Sequence, residues 1–385
     1  MSNQPADKRK KPLRTLLTLI PAVLFGGLIG WFGADWIDAL TGGNDALFFV
    51  YLLLLLVGLI LAFIVQIIVH EGGHLLFGLM TGYRFVSFNI LGFIWQKGPD
   101  GRLHMNRMQI AGAGGQCLMS PPDYNEGRFP FTLYNLGGAL ANLIAAGLCV
   151  LLAWVLPFAP VRILLGTQAA VGVVFALLNG LPIPVEAIQN DGTNLVCILR
   201  DENARRAFWT QMKVAAELAA GRRLKHMPEE WFRPFPEEAM NNPIVAAIAV
   251  MNTSRLMDEM DFAAAEREIR ALMAREKGVL PLYRMTMACD GAVCEMVAGR
   301  PADLTDMLDT PDMQQLIKAM PNYPSILRTQ YAVALLKERD GEKAARVLER
   351  FEAAALRHPN PQEIVGEREL LLAIQNALLN GGACA

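Results

Sequence analysis

Apolar residues fall in long blocks along the first half of the chain and at helical spacing along the second. Residues 13–33 form a first block with almost no charge after Arg14, long enough to cross a bilayer at 1.5 Å per residue. Residues 46–69 form a second, 131–156 a third and 161–178 a fourth, so about four transmembrane helices are predicted. The tight connection 157–160 makes the last two an antiparallel pair.

Between the second and third blocks the pattern shortens. Residues 83–95 are aromatic and β-branched, Lys97-Gly98-Pro99-Asp100-Gly101 is turn chemistry, and residues 102–110 read as a partner strand. A small membrane-associated β-hairpin is predicted there, and an open edge on it could hold an extended peptide as an added strand. Ala111-Gly112-Ala113-Gly114-Gly115 permits a tight backbone path, and Pro121-Pro122 marks a loop.

From Arg200 onward the composition is that of a soluble helical domain. The Pro-rich stretch 227–243 separates a juxtamembrane helix from the remainder. Segments beginning at Asp261, Gly299 and Asp340 resemble one another at intervals of roughly forty residues, near the period of tetratricopeptide-type hairpins. The fold class is an all-α polytopic membrane protein with a small hairpin, followed by a tetratricopeptide-like soluble domain. Its predicted divisions are a basic N-terminus at 1–12, a transmembrane domain at 13–200, a juxtamembrane helix and linker at 201–242, and a helical-repeat domain at 243–385.

Composition agrees with this division. Apolar residues are 53% of the 385, and the net charge of −2 gives no reason to expect nucleic acid as a partner. Lys8, Arg9, Lys10, Lys11 and Arg14 precede the first block, and Arg200, Arg205, Arg206, Arg222, Arg223 and Lys225 follow the last. The outer loop instead carries Asp35, Asp38 and Asp45. The positive-inside rule then places both the N-terminus and the C-terminal domain in the cytoplasm of a multi-pass inner-membrane protein. The six cysteines form no C-x-x-C pair, which fits unpaired thiols.

Within the second block stands His70-Glu71-Gly72-Gly73-His74. Ionisable groups in a membrane helix are costly unless paired or bound, so they mark a functional site. Residues four apart share a helix face, and His70 and His74 can turn their rings to one zinc ion with Glu71 beside the open position. A catalytic zinc needs a third protein ligand. Asp191 and Glu186, beyond the fourth block, are the acidic candidates; Gly192 favours Asp191 by letting the backbone turn closely. His104, His226 and His358 read as solvated bystanders, and a di-iron oxygenase would need many more histidines than the five present.

These features resemble the site-2 protease family of intramembrane zinc metalloproteases. The resemblance covers about 46–200 and rests on the His-Glu-x-x-His stretch, on Gly138 and Asn142, and on Asn179-Gly-Leu-Pro with Asn190-Asp191-Gly192. It implies one zinc per chain on His70, His74 and Asp191, with Glu71 as catalytic base, and Asn142 and Asn179 near substrate. It implies an endopeptidase acting on transmembrane proteins or peptides within the lipid bilayer. The chain departs from the family in having Gly72 where a larger residue is usual, and in a longer path from Asn179 to Asp191. The C-terminal domain is outside the resemblance and is expected to serve regulation, substrate presentation or a cytosolic protein partner. The competing expectation is a membrane-anchored adaptor whose metal site is structural or inactive.

Overall fold

The computed structural model describes residues 33, 35, 37–98, 101–107, 114–182, 190–358 and 360–382. The first apolar block, the N-terminal basic cluster and Glu186 lie outside them.

Three described helices are long and apolar enough to cross a membrane: α1 (Asp45–Met80), α2 (Thr132–Val155) and α3 (Ala159–Gly180). α1 begins at Asn44, whose side chain accepts from Leu47 N–H at 3.1 Å, and Asp45 places a negative charge at the positive end of the helix dipole. It ends where Gly82, at φ 87°, turns the chain so that Tyr83 N–H reaches the Gly78 carbonyl. Its 36 residues span about 54 Å, well beyond the roughly 30 Å of a bilayer's hydrocarbon core. The helix thus does not stop at residue 69 but carries the His-Glu-x-x-His stretch in its final third.

The packing separates into two units, residues 1–66 with 142–175 and residues 67–141 with 176–385, and the division falls within each of the three long helices. In the first unit Ile37, Leu55 and Ile163 form a small core. Gly58 lies against Leu164, where an added Cβ would stand 3.1 Å from its side chain. Leu53, Ile60 and Trp154 are left 63%, 67% and 81% exposed, apolar surface that suits lipid and would be costly in water. One polar network is buried here. Asn142 Nδ2 donates to the Gln66 carbonyl at 3.0 Å and to its Oε1 at 2.6 Å, and Gln66 Nε2 donates to Gln168 Oε1 at 3.1 Å.

The second unit holds an antiparallel sheet of order β3-β2-β1-β4, built from β1 (Arg84–Ile90), β2 (Phe93–Lys97), β3 (Leu103–Arg107) and β4 (Gly115–Ser120). The expected single strand over 83–95 is itself a hairpin. Leu91 and Gly92 both take positive φ (50° and 85°), as a two-residue turn requires, and Asn89 Oδ1 accepts from Gly92 N–H. β2 then pairs with β3 in the register Trp95 to Met105, as the hairpin reading anticipates. β4 was not anticipated: it pairs with β1 through Phe88 to Cys117, across a bulge between Phe85 and Ser87.

After α3 come α4 (Asp191–Arg200) and α5 (Glu202–Ala219), then eight further helices: α6 (Pro243–Asp258), α7 (Phe262–Met273), α8 (Pro281–Val297), α9 (Asp303–Met307), α10 (Pro311–Ala319), α11 (Pro324–Ala332), α12 (Gly341–Ala355) and α13 (Pro361–Gly382). One buried core joins Met119 of β4 and Phe131 to Ile198 of α4, Met212 of α5 and Ile248 of α6. A second gathers Cys289, Leu327, Phe351 and Ile374. Asp261 caps α7 and Asp340 caps α12, each accepting a backbone N–H three residues on at 3.0 and 2.8 Å. Met260, Gly299 and Arg339, at φ 63°, 70° and 59°, make left-handed turns at the start of each of the three similar segments. The described cysteines are unpaired.

Candidate metal centre

α1 supplies two imidazoles one turn apart, and the start of α4 supplies a carboxylate. His70 Nε2 lies 3.1 Å from Asp191 Oδ2, His74 Nε2 lies 3.3 Å from the same oxygen, and the two ring nitrogens are 3.2 Å apart. Ligand atoms placed tetrahedrally at about 2.0–2.1 Å from zinc stand roughly 3.3 Å from one another. Three donors facing one point at that separation fit a single metal ion, and among the described residues this is the group that could hold one.

The surrounding residues set each donor. His74 Nδ1–H donates to the Tyr134 carbonyl at 2.7 Å, which fixes the tautomer and leaves the Nε2 lone pair turned to the centre. Tyr134 is itself held by its hydroxyl, which donates to the Cys117 carbonyl at 3.0 Å, and by stacking on Tyr83. His70 sits against Gly138 of α2; a Cβ there would lie 2.4–2.6 Å from three ring atoms, so only glycine leaves room for the imidazole. α1 and α2 touch backbone to backbone, since a Cβ on Gly73 would stand 2.2 Å from the Gly137 carbonyl oxygen. Gly78 is likewise packed, against Met119 and Tyr134, whereas Gly72 faces open space.

Asp191 is delivered by a cap. Asn190 Oδ1 accepts from Thr193 N–H at 2.9 Å, starting α4, while its Nδ2 donates to the Leu178 and Leu181 carbonyls, both at 2.6 Å, closing α3. Gly192 follows, with room for a Cβ denied by the Gly180 carbonyl oxygen at 2.4 Å. One asparagine and one glycine therefore clasp the end of α3 to the start of α4 with Asp191 between them.

Glu71 is buried beside the histidines, on the side where β4 begins: Gly115 comes so close that an added Cβ would lie 2.9 Å from Glu71 Oε1. Cys117 N–H donates to that carboxylate. The Cys117 thiol is pushed up to about 12 by burial, so it stays a neutral thiol and offers no thiolate sulfur.

The structure thus brings together His70, His74, Asp191 and Glu71. The hydrogen bonds of Asn142 named above run to Gln66, and Asn179 is half-buried near the end of α3. His104 and His226 are exposed as expected, whereas His358 is half-buried with Nδ1 3.2 Å from the Asn360 carbonyl. Tyr134 was missed, while Gly138 and Asn190 stood in the family-like segments and Gly115 in the tight glycine path without the seating roles they take here. The signal at Asn190 is an asparagine at the position of a helix N-cap directly before Asp-Gly. Comparison with known protein families, curated proteins and solved structures finds no match to this chain.

Proposed function

We propose that the chain is an intramembrane zinc endopeptidase, similar to the site-2 protease family, that cuts peptide bonds in or near transmembrane segments of other membrane proteins. The observation that carries this reading is the convergence of His70, His74 and Asp191 at metal-ligand spacing, with Glu71 beside them, on a helix apolar enough to cross a bilayer. His70, His74 and Asp191 would hold one zinc ion, which when bound supplies Lewis acidity toward a carbonyl and makes water acidic enough to ionise near neutral pH. The remaining work falls to the chain's own groups. Glu71 accepts the proton of the attacking water and returns it to the leaving amide nitrogen. The Cys117 N–H keeps the Glu71 carboxylate oriented for both transfers.

A peptide bond within a helix is shielded, so substrate must be extended before it is cut. Among the described residues β4 has a sheet partner on one side only, and it begins at Gly115, against Glu71. An unwound substrate segment added along its open side would be held by main-chain hydrogen bonds next to the base.

In this reading residues 13–33 form a fourth span, and the basic clusters at 8–14 and 200–225 face the cytoplasm. The C-terminal helices form tetratricopeptide-like hairpins that present or select substrate, which the left-handed turns at Met260, Gly299 and Arg339, about forty residues apart, support. The test is quantitative membrane proteomics comparing wild type with Glu71→Gln. Full-length membrane proteins should accumulate in the variant; membrane proteomes that cannot be told apart would contradict proteolysis.

A further inference from the structure

One residue of β4, Cys117, is bonded on the side that faces away from the sheet. Leu91 N–H donates to the Gly114 carbonyl at 3.0 Å, and along an antiparallel ladder hydrogen-bonded pairs alternate with pairs that exchange no main-chain bonds. Counted from there, Cys117 opposite Phe88 is a pair of the second kind, so its N–H and its carbonyl both turn away from β1. Neither is left open. The N–H donates to the Glu71 carboxylate, and the carbonyl accepts from the Tyr134 hydroxyl at 3.0 Å. A buried main-chain group without a partner is costly, so these two bonds fix where Cys117 lies.

The Tyr134 ring that supplies the hydroxyl is itself held. It stacks on the buried Tyr83 with centroids 4.7 Å apart and planes 7° from parallel. Gly78 leaves it room, since a Cβ there would stand 3.2 Å from Tyr134 Cδ2. The main-chain carbonyl of the same residue accepts from His74 Nδ1 at 2.7 Å. A continuous path of bonds thus runs from His74 through Tyr134 and Cys117 to Glu71, leaving α1 and returning to it one turn away.

We propose that Tyr134 is a positioning residue for Glu71. Its hydroxyl holds Cys117, Cys117 holds the carboxylate, and its carbonyl holds His74, so one residue keeps the base at a set distance from a metal ligand. Phenylalanine in its place keeps the ring, the stack and the carbonyl that orients His74; the grip on Cys117 is what goes. Cys117 is committed within the chain, and a substrate strand along β4 takes its main-chain bonds beyond it. That Glu71 serves as a base rests on the proteolytic reading above; the tie from Tyr134 to Glu71 does not.

The test compares wild type with Tyr134→Phe in the full-length, zinc-loaded protein in a non-ionic detergent. Amide hydrogen exchange, resolved to single residues, reads the tie directly. The Cys117 amide should exchange about tenfold faster in Tyr134→Phe and in Glu71→Ala, and no faster when the two are combined. The Gln116 amide, which faces β1, should exchange as in wild type, and zinc content should not change. The functional arm is acetohydroxamate, which chelates a metal through two oxygens and donates a hydrogen bond to a carboxylate beside it. Its affinity should fall about fivefold in Tyr134→Phe, and the double variant should bind it no more weakly than Glu71→Ala. An unchanged Cys117 amide, faster exchange along the whole of β4, or losses of affinity that add would overturn the assignment. The expected exchange with an affinity indifferent to both substitutions would uphold the tie and count against Glu71 as base, and so against proteolysis alone.

Discussion

Two sets of buried ionisable side chains lie in this molecule, and they differ in where their positive charge comes from. At the metal centre His70, His74 and Asp191 turn three acceptor atoms to one point, and the charged neighbours of Asp191 among the described residues are those two imidazoles. In the C-terminal helices the carboxylates of Asp290 and Glu367 are built around a guanidinium that the chain itself supplies. Lone pairs converging without a cation describe a place for an ion; carboxylates wrapped on arginine describe a structural tie. The comparison teaches that burial of charge alone does not mark chemistry, and that the absence of an internal counter-charge does.

The largest effect expected from breaking this contrast is at Arg328. Arg328→Met would leave Asp290 and Glu367 buried without their cation and should cost about 3–5 kcal/mol in unfolding of the C-terminal helices. Intrinsic fluorescence of Trp209 and Trp231 under denaturant should report it, and metal content should be unchanged in the folded fraction. Loss of the metal with the helices would mean the two sets are not separate.

A smaller effect is expected at Asn190. Replacing it by alanine removes the cap of α4 and frees two carbonyls of α3, at a cost of about 1–2 kcal/mol. Because Asp191 is the next residue, metal affinity should fall by about tenfold or more, read by competition with a coloured chelator. Unchanged affinity would show that Gly192 alone seats Asp191.

The smallest is a dependence on pH. Burial pushes Glu367 up to about 7 from an ordinary 4.5. A carboxyl raised on folding binds its proton more tightly in the folded state. Its stabilisation is thus complete below about pH 4.5 and is lost as pH rises through 7. Glu369, drawn down to about 2 by Arg223 and against the effect of burial, has the opposite sign and loses its contribution as pH falls through 2. Denaturant midpoints of the C-terminal helices should therefore decline between about pH 4.5 and 7, and Glu367→Gln should flatten that decline.

Much of this contrast could be read from the chain. The third and fourth apolar blocks matched their helices within a few residues, because a span is a local property of composition, whereas the second helix runs eleven residues past its block. The four-residue spacing of His70 and His74 put both rings on one face for the same reason. The seats of those rings could not be read. Gly138 makes room for His70, and Gly115 brings β4 against Glu71, through contacts between segments far apart in sequence. β4 escaped notice because six residues, Gly115–Ser120, carry too little pattern to stand out until β1 pairs with them. The Leu91-Gly92 turn was hidden in an apolar run, where a left-handed leucine is not an expected punctuation. The Arg328 cluster was equally silent, since its members come from three helices spread over 78 residues.

The central proposal is that His70, His74 and Asp191 together hold one metal ion. It is tested most directly by elemental analysis of the purified full-length protein, in wild type, His74→Ala, Asp191→Ala and Glu71→Gln. The account predicts one zinc per chain in wild type and in Glu71→Gln, and none in His74→Ala or Asp191→Ala. Zinc retained at full occupancy in Asp191→Ala, or a wild-type protein that takes up no metal when zinc is supplied, would contradict it.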